Sequence, residues 1–218
     1  MSLSLETIVL LAVPVVFAIT LHEAAHGYVA KLFGDRTAEM LGRVTLNPIK
    51  HIDPIGTILV PGALLLMAKF TGAPLFIFGW AKPVPVNFGN LRNPKRDMIW
   101  VAGAGPMANF VMAFLWVLIG RLAGGAGAFA SDGLQEMAQI GVYVNLLLMA
   151  LNLLPIPPLD GGRIAVGLLP NSAGHALARV EPYGFMIILL LLAVGLLDDV
   201  MRPLMRMAQF LLGALVGP

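Results

Sequence analysis

The sequence predicts an all-α polytopic membrane protein, a helical bundle of about 4–6 membrane segments with a small β-hairpin or re-entrant element after the first helix. Three observations carry this prediction. Hydrophobic residues make up 58% of the 218 residues and charged residues only 12%. The mean hydropathy is +0.86. Long apolar stretches alternate with polar, proline-containing ones. Since soluble domains are roughly half apolar and a quarter charged, these values favour a lipid environment.

Four stretches are the strongest candidates for membrane helices, since a spanning helix needs about 20 mostly apolar residues. They are residues 5–33, 96–122, 136–158 and 183–197. Prolines at the end of the third stretch are expected to unwind it. The tail 200–217 carries two arginines and is compatible with an interfacial amphipathic helix or with a short span.

Residues 55–81 form an ambiguous apolar region, because Pro61-Gly62 and Thr71-Gly72 divide it into pieces too short to cross comfortably. The whole chain, 1–218, is expected to form one domain, with a core at about 5–170 and C-terminal membrane or interfacial helices over 183–217. The net charge of +2 gives no indication of a nucleic-acid partner, and the absence of cysteine excludes disulfides, thiolate metal sites and cysteine nucleophiles.

The stretch HEAAH places His22, Glu23 and His26 inside the first apolar helix. Residues four apart share one face of a helix, so both imidazoles can meet a single ion. The intervening glutamate is then close enough to act as general base, which is the arrangement of zinc hydrolases. Polar side chains are costly in hydrocarbon, and this favours a functional role over coincidence or two histidines paired with neighbouring helices.

Catalytic zinc usually has three protein ligands, so a third ligand must come from a distant part of the chain. Asp160 is the best candidate, because prolines stop the helix before it and two glycines allow a sharp turn after it. A helix-capping aspartate in an ordinary turn is the alternative. His51 and His175 lie in polar connecting segments, where we expect them to be solvated.

Four motifs together resemble the site-2 protease family of intramembrane zinc metalloproteases. They are HEAAH in the first helix, NLLPIPPLDGG at 152–162, AGAGPMANF at 102–110 and GWAKPVPVN at 79–87. The last motif is similar to a loop of the compact prokaryotic branch, and no stretch resembles a PDZ or CBS domain. The resemblance implies one Zn²⁺ per chain held by His22, His26 and Asp160, with Glu23 as base. It also implies cleavage of membrane-spanning segments of substrate proteins.

The remaining candidate site residues are asparagines and two segments that could pair with an extended substrate. Asn152 could donate to the oxyanion, bind the substrate backbone, or make an inter-helix hydrogen bond. Asn109 and Asn145 are interpreted as inter-helix hydrogen-bonding groups. A helical substrate must be held extended, most simply as an added strand, and residues 36–48 are predicted to form the edge hairpin that accepts it. The segment KPVPVNF, residues 82–88, is the alternative edge.

A single metal site also predicts the topology. His22 and His26 lie late in the first helix and Asp160 follows the helix 136–158, so these two helices should be parallel. Residues 55–81 must then cross the membrane either twice or not at all. Most basic residues collect on one face, which the positive-inside rule makes cytoplasmic. We therefore expect a protein of the plasma or inner membrane, with an outside N-terminus and its site nearer the cytoplasm.

Two rival functions remain open from the residues. A zinc protease of the kind that trims prenylated proteins would use a glutamate as third ligand, and the candidates after the first third of the chain are Glu136 and Glu181. A metal transporter or metal-binding scaffold would distribute polar groups across the bilayer, whereas here they cluster at one depth. The sequence does not indicate an oligomeric state.

Overall fold

The computed structural model describes residues 5–71, 79–125 and 131–217, and all regular structure in these ranges is helical. The α-helices are α1 (Leu5–Leu32), α2 (Thr37–Met40), α3 (Val60–Thr71), α4 (Pro94–Gly124), α5 (Asp132–Asn152), α6 (Asp160–Leu168), α7 (Asn171–Ala178), α8 (Glu181–Ala193) and α9 (Leu197–Val216). Short 3₁₀ turns occupy Pro48–His51 and Phe88–Asn90, and a π-helical turn at Pro54–Leu59 leads into α3.

The long helices α1, α4 and α5 form the centre of the bundle. Helix α4 runs antiparallel to α1. The Val101 carbonyl oxygen, early in α4, is hydrogen-bonded to His26, whereas Asn109, further along α4, donates to the carbonyl oxygen of Ala18, which lies earlier in α1 than His26. Helix α5 runs antiparallel to α4, since Asn145, in the later part of α5, accepts a hydrogen bond from Asn109 in the middle of α4. The first and fifth helices are therefore parallel, as a shared metal site requires.

Small residues bring the central helices close together. Gly141 of α5 lies against the indole of Trp116 in α4, where an added Cβ would come within 2.4 Å of the ring. The main apolar cluster joins α4, α5 and α9, and its buried members are Ala113, Leu146, Met149, Ala208 and Leu212. Burial of these side chains fixes α9 along the outside of α5.

Four helices of the described ranges are long and apolar enough to cross a membrane: Glu6–Leu32, Pro54–Thr71, Pro94–Gly124 and Asp132–Asn152. Helices α7 and α8 qualify as a fifth span only as a pair, and they are bent by 65°. The number of spans agrees with the prediction. Helix α8 has 13 residues, so the stretch expected at 183–197 is shorter than a full span by itself. The tail helix α9 is not among the candidate spans.

The predicted β-hairpin at 36–48 is wrong, because the structure has no strand in its described residues and places α2 there. Local polar contacts explain the helical turn. Asp35 accepts a hydrogen bond from the Thr37 backbone N–H at 3.0 Å, which helps to begin the turn. Glu39 pairs with Arg36 at 2.7 Å three residues earlier. Gly42, at φ +61°, then ends the turn in the left-handed region that favours glycine.

The segment 79–87 has no regular secondary structure and pairs with no strand among the described residues. Side chains and isolated backbone groups hold it instead. Arg43 Nη2 donates to the carbonyl oxygens of Lys82 at 2.7 Å and Pro83 at 3.3 Å. Asp35 accepts from the Asn87 N–H at 2.7 Å. This segment is therefore anchored by contacts to individual backbone groups, and we call residues 82–87 the strap.

The ambiguous region 55–81 begins and ends at one place. The Trp80 N–H donates to the Gly56 carbonyl at 3.1 Å, and the Thr57 hydroxyl donates to the Trp80 carbonyl at 2.8 Å. A re-entrant hairpin or a pair of short spans requires that the two ends of the region lie together, as they do here. The number of crossings stays a prediction, since residues 72–78 lie outside the described ranges.

Candidate metal centre

Three ligand-type side chains meet where α1, α4 and α6 come together. His22 and His26 lie one turn apart on α1, and Asp160 is the first residue of α6. Asp160 Oδ2 is 3.3 Å from Nε2 of each histidine, and the two Nε2 atoms are 3.0 Å apart. All three side chains are buried. The structure therefore brings together the three residues that the sequence proposed as ligands.

Two glycines make the position of Asp160 possible. Helix α5 ends at Asn152, and the proline-rich turn folds the chain back so that α6 begins against the end of α5. A Cβ on Gly161 would lie 2.2 Å from the Leu153 carbonyl oxygen, and one on Gly162 would lie 2.2 Å from the Pro157 nitrogen. Because any side chain would collide with backbone here, both positions require glycine.

Each histidine has its Nδ1 engaged on the side away from Asp160. His26 Nδ1 donates to the Val101 carbonyl oxygen at 2.7 Å, and His22 Nδ1 donates to Asn109 Oδ1 at 2.6 Å. A carbonyl oxygen can only accept, which assigns the proton to Nδ1 and leaves the Nε2 lone pairs directed at the site. This is the usual arrangement of imidazoles that bind metal.

The donor set fits a divalent cation. Two imidazole lone pairs and a carboxylate oxygen converge, and Asp160 Oδ2 is buried with no hydrogen-bond donor. Three electron-rich atoms at such distances repel one another unless a proton or a metal ion lies between them, so the group is suited to holding a cation. Gly105 of α4 closes the opposite side, since an added Cβ would lie 2.4 Å from His26 Nε2. Nitrogen and oxygen ligands in this combination suit zinc.

A cavity of about 400 Å³ opens beside these atoms. Glu23 faces it, and its Oε2 accepts a hydrogen bond from the Val84 N–H of the strap at 2.6 Å. Asn152 also lines the cavity, and its Nδ2 donates to the Leu148 carbonyl oxygen at 3.0 Å within α5. The remaining lining is mostly apolar and comes from the strap with Trp80 and Phe88 beside it, from α4 and from the turn before α6, and Arg163 of α6 adds one charged side chain.

Some placements differ from the sequence predictions. His51, expected to be solvated, is 2% exposed, and its Nε2 lies 3.0 Å from the Thr45 carbonyl oxygen. Its backbone carbonyl accepts from the Lys82 N–H at 2.9 Å, so the residue lies beside the start of the strap and not in open solvent. His175 is exposed, as predicted.

Sequence reasoning missed two residues of the site. Asn109 does bridge helices as predicted, but it also accepts from His22, and Gly105 was not singled out. Their spacing was a usable signal, because residues four apart on α4 share a face and the motif AGAGPMANF contains both. The Val84 backbone contact to Glu23 leaves no mark in the sequence, since any residue except proline carries the N–H.

One protein family and several individual proteins are similar to this chain. The model of peptidase family M50 matches residues 10–126 and 119–195. YwhC of Bacillus subtilis, named as a candidate zinc metalloprotease, is 40% identical over 200 residues, which cover 90% of this chain and 85% of that protein. Rip2 of Mycolicibacterium smegmatis, also named as a candidate zinc metalloprotease, is 32% identical over 83% of this chain and 65% of its own length.

A more distant relative is the zinc metalloprotease MJ0392 of Methanocaldococcus jannaschii, which is 24% identical over 83% of this chain and 41% of that protein. No solved structure gives a significant match. The family model covers most of the chain, and relatives in three genera carry the same activity in their names. The chain belongs to peptidase family M50, the site-2 protease family, and is a membrane zinc metalloprotease.

Proposed function

We propose that this protein is an intramembrane endopeptidase that cleaves membrane-spanning segments of other proteins in regulated proteolysis. The observation that carries the proposal is the position of the three convergent ligand atoms. They lie among helices that are apolar enough to cross a bilayer, beside a cavity that Glu23 faces. Such a site gives the enzyme access to substrates that lie in the same bilayer.

The roles of the site residues follow from their chemistry. His22 Nε2, His26 Nε2 and Asp160 Oδ2 are the proposed ligands of one zinc ion. When bound, zinc supplies a Lewis acid and a means of activating water near neutral pH. Glu23 takes the proton of the attacking water and passes it to the leaving amine. The Val84 N–H fixes Glu23 Oε2, and this contact holds the carboxylate at the edge of the cavity.

The strap is the proposed binding edge for the substrate. Hydrolysis needs an extended substrate, and a strand added beside the strap could pair with the Val86 N–H and with backbone carbonyl oxygens of residues 84–87. The other strap residues offer no free N–H, because two are prolines and the remaining three already donate within the protein. Arg43 and Asp35 hold parts of the strap backbone, so their bonds supply the rigidity that such an edge needs. Asn152 uses one of its two N–H donors on Leu148, which leaves the other for the oxyanion and its carbonyl for a substrate N–H.

Membrane orientation is part of the proposal. The protein is placed in the cell membrane with its N-terminus outside and its site nearer the cytoplasm, because basic residues flank the site end of the bundle. The chain has no cysteine, so single cysteines report cleanly. Lys50→Cys and Asn90→Cys should react with an impermeant thiol reagent from the cytoplasm, and Ser131→Cys from outside. Labelling of positions 50 and 90 from opposite faces would contradict this topology.

The proposed function is tested by cleavage in liposomes. A panel of single-span membrane proteins, chosen from those whose membrane stubs accumulate in cells that carry Glu23→Gln, is co-reconstituted with the wild-type protein and with the variant. We expect the wild type to cut within the apolar span and the variant to leave it intact. Mass spectrometry of the products locates the bond. Cuts confined to segments outside the bilayer would contradict the proposal, and zinc flux without any cleavage would indicate a transporter.

A further inference from the structure

We infer that Asn109 and Asn145 form a positioning relay that holds His22 in the ring orientation and tautomer of a metal ligand. The inference rests on the proposed role of His22 in binding zinc. Both asparagines are 0% exposed, and they lie where α1, α4 and α5 meet. Buried amides in an apolar bundle need complete hydrogen bonding, and the hydrogen bonds of these two determine which way each amide group faces.

The relay ends at a backbone carbonyl. Asn145 Nδ2 donates to the Gly141 carbonyl oxygen at 2.8 Å. Because a carbonyl oxygen only accepts, the amide group of Asn145 must face Gly141 and its Oδ1 must face Asn109. A flipped amide would place two oxygens against each other, so the orientation of Asn145 is determined by the backbone of its own helix.

Asn109 passes this orientation to His22. Its Nδ2 donates to Asn145 Oδ1 at 3.0 Å and to the Ala18 carbonyl oxygen at 3.2 Å. With Nδ2 committed to two acceptors, Asn109 Oδ1 faces His22 Nδ1 at 2.6 Å and can only accept from it. The His22 proton is therefore held on Nδ1, and the Nε2 lone pair is directed at Asp160.

The two proposed histidine ligands differ in what orients them. His26 Nδ1 donates to the backbone carbonyl of Val101, which no side-chain substitution removes. His22 depends instead on the side chain of Asn109, which is itself oriented by the Ala18 carbonyl oxygen and by Asn145. Asn109 thus has a function beyond joining helices, and its side chain can be replaced without changing any of the proposed metal ligands. Asn145 acts one bond further away and should have the smaller effect.

The test measures the zinc dissociation constant of the metal-free full-length protein in detergent micelles, by competition with a chelator of known affinity. We expect Asn109→Leu to raise this Kd about 10–100-fold, the usual effect of losing a group that orients a metal ligand. Asn109→Asp keeps an acceptor for His22 Nδ1 and should bind zinc more tightly than Asn109→Leu. Leu146→Ala, which lies in the core outside the site, should lower thermal stability but leave the Kd unchanged.

A second readout needs no activity. Nitrogen-15 NMR of histidine-labelled, zinc-loaded protein reports which ring nitrogen of each histidine carries the proton. Wild type should show His22 protonated on Nδ1, and Asn109→Leu should show a mixture of the two ring nitrogens. Asn109→Leu with a wild-type Kd and an unchanged His22 tautomer would overturn the relay. If that variant fails to fold, Asn109→Ala, which removes the same acceptor with a smaller side chain, is used instead, and an unchanged Kd and tautomer there overturn the relay equally.

The same experiment separates this inference from the proposed function. His22→Ala should lose tight zinc binding if His22 is a ligand. Loss in His22→Ala with no change in Asn109→Leu would reject the relay alone. Wild-type affinity in His22→Ala would reject the proposed ligand set, and the relay with it.

Discussion

The cavity has two walls that are built in different ways. The helical wall consists of α1, α4 and α6, and it holds the proposed ligands through buried side chains and close glycine contacts. The other wall is the strap, which has no strand pairing in the described residues and depends on polar side chains that reach its backbone. The helical wall is therefore suited to fixing a metal ion, and the strap to receiving a chain.

Glu23 belongs to one wall and contacts the other. Its backbone belongs to α1 in the helical wall, whereas its Oε2 accepts from Val84 in the strap. A change in either wall can thus affect catalysis, but only a change in the helical wall should affect zinc. Measuring zinc affinity and turnover separately for each variant sharpens the distinction.

The largest expected effect comes from Glu23→Gln. Glutamine has nearly the same size and can still accept from Val84, but it cannot take a proton from water. We expect cleavage of a membrane substrate to fall by at least ~10²–10⁴-fold, the usual contribution of a general base, while zinc affinity stays near that of wild type. Substantial turnover in this variant would place the base elsewhere.

Gly105→Ala should break the helical wall. Its new methyl group would occupy space 2.4 Å from His26 Nε2, so either the histidines or α4 must shift. We expect zinc to bind ~10–100-fold more weakly, comparable to the loss of a group that orients a ligand. Gly103→Ala is the matched control on the same helix, because no atom lies within 4 Å of its added Cβ. Equal zinc affinity in the two variants would contradict the proposed packing.

Asp35→Asn should loosen the strap and leave zinc in place. Asp35 is fully buried and accepts from Thr37, Asn87 and Asn90, but an amide cannot accept at both of its positions. We expect the free energy of unfolding to fall by about 1–3 kcal/mol, with reduced turnover and unchanged zinc affinity. A matched loss of zinc affinity and turnover would mean that the two walls are not separable.

The same carboxylate predicts a pH dependence. Burial opposes its ionisation, but the hydrogen bonds from Thr37, Asn87 and Asn90 outweigh burial and lower the pKa of Asp35 below its usual 3.8. A depressed folded-state pKa contributes stability above the unfolded-state pKa, and this stability is lost as pH falls through the folded value. Acid unfolding below about pH 4 should therefore be less steep in Asp35→Asn than in wild type.

Arg43→Lys should have the smallest effect. The guanidinium reaches the carbonyl oxygens of both Lys82 and Pro83, and a lysine ammonium keeps the charge but not the planar fork. We expect a loss of about 0.5–1.5 kcal/mol in stability and a modest rise in KM, which kinetic analysis of a membrane substrate would detect. An effect larger than that of Asp35→Asn would show that Arg43 does more than hold the strap.

The contrast between the walls also explains what could be predicted from the sequence. The motif HEAAH and the turn around Asp160 carry their chemistry in residue types and helical spacing, and the structure brings those residues together. A β-hairpin at 36–48 was predicted as the accepting edge, with residues 82–88 as the alternative, yet the Asp35–Thr37 hydrogen bond and the Arg36–Glu39 pair favour a helical turn at Thr37–Met40. Short polar segments are decided by a few such contacts, so their strand propensity is a weak guide.

The zinc content of the purified protein tests the central claim most directly. Elemental analysis should find about one zinc per chain in wild type and in Glu23→Gln, since Glu23 is the proposed base and not a proposed ligand. The same analysis should find little zinc in His22→Ala, His26→Ala and Asp160→Ala, whose side chains are the three proposed ligands. Full zinc occupancy in a folded Asp160→Ala protein would contradict the account, because the metal would then be held by a different set of residues.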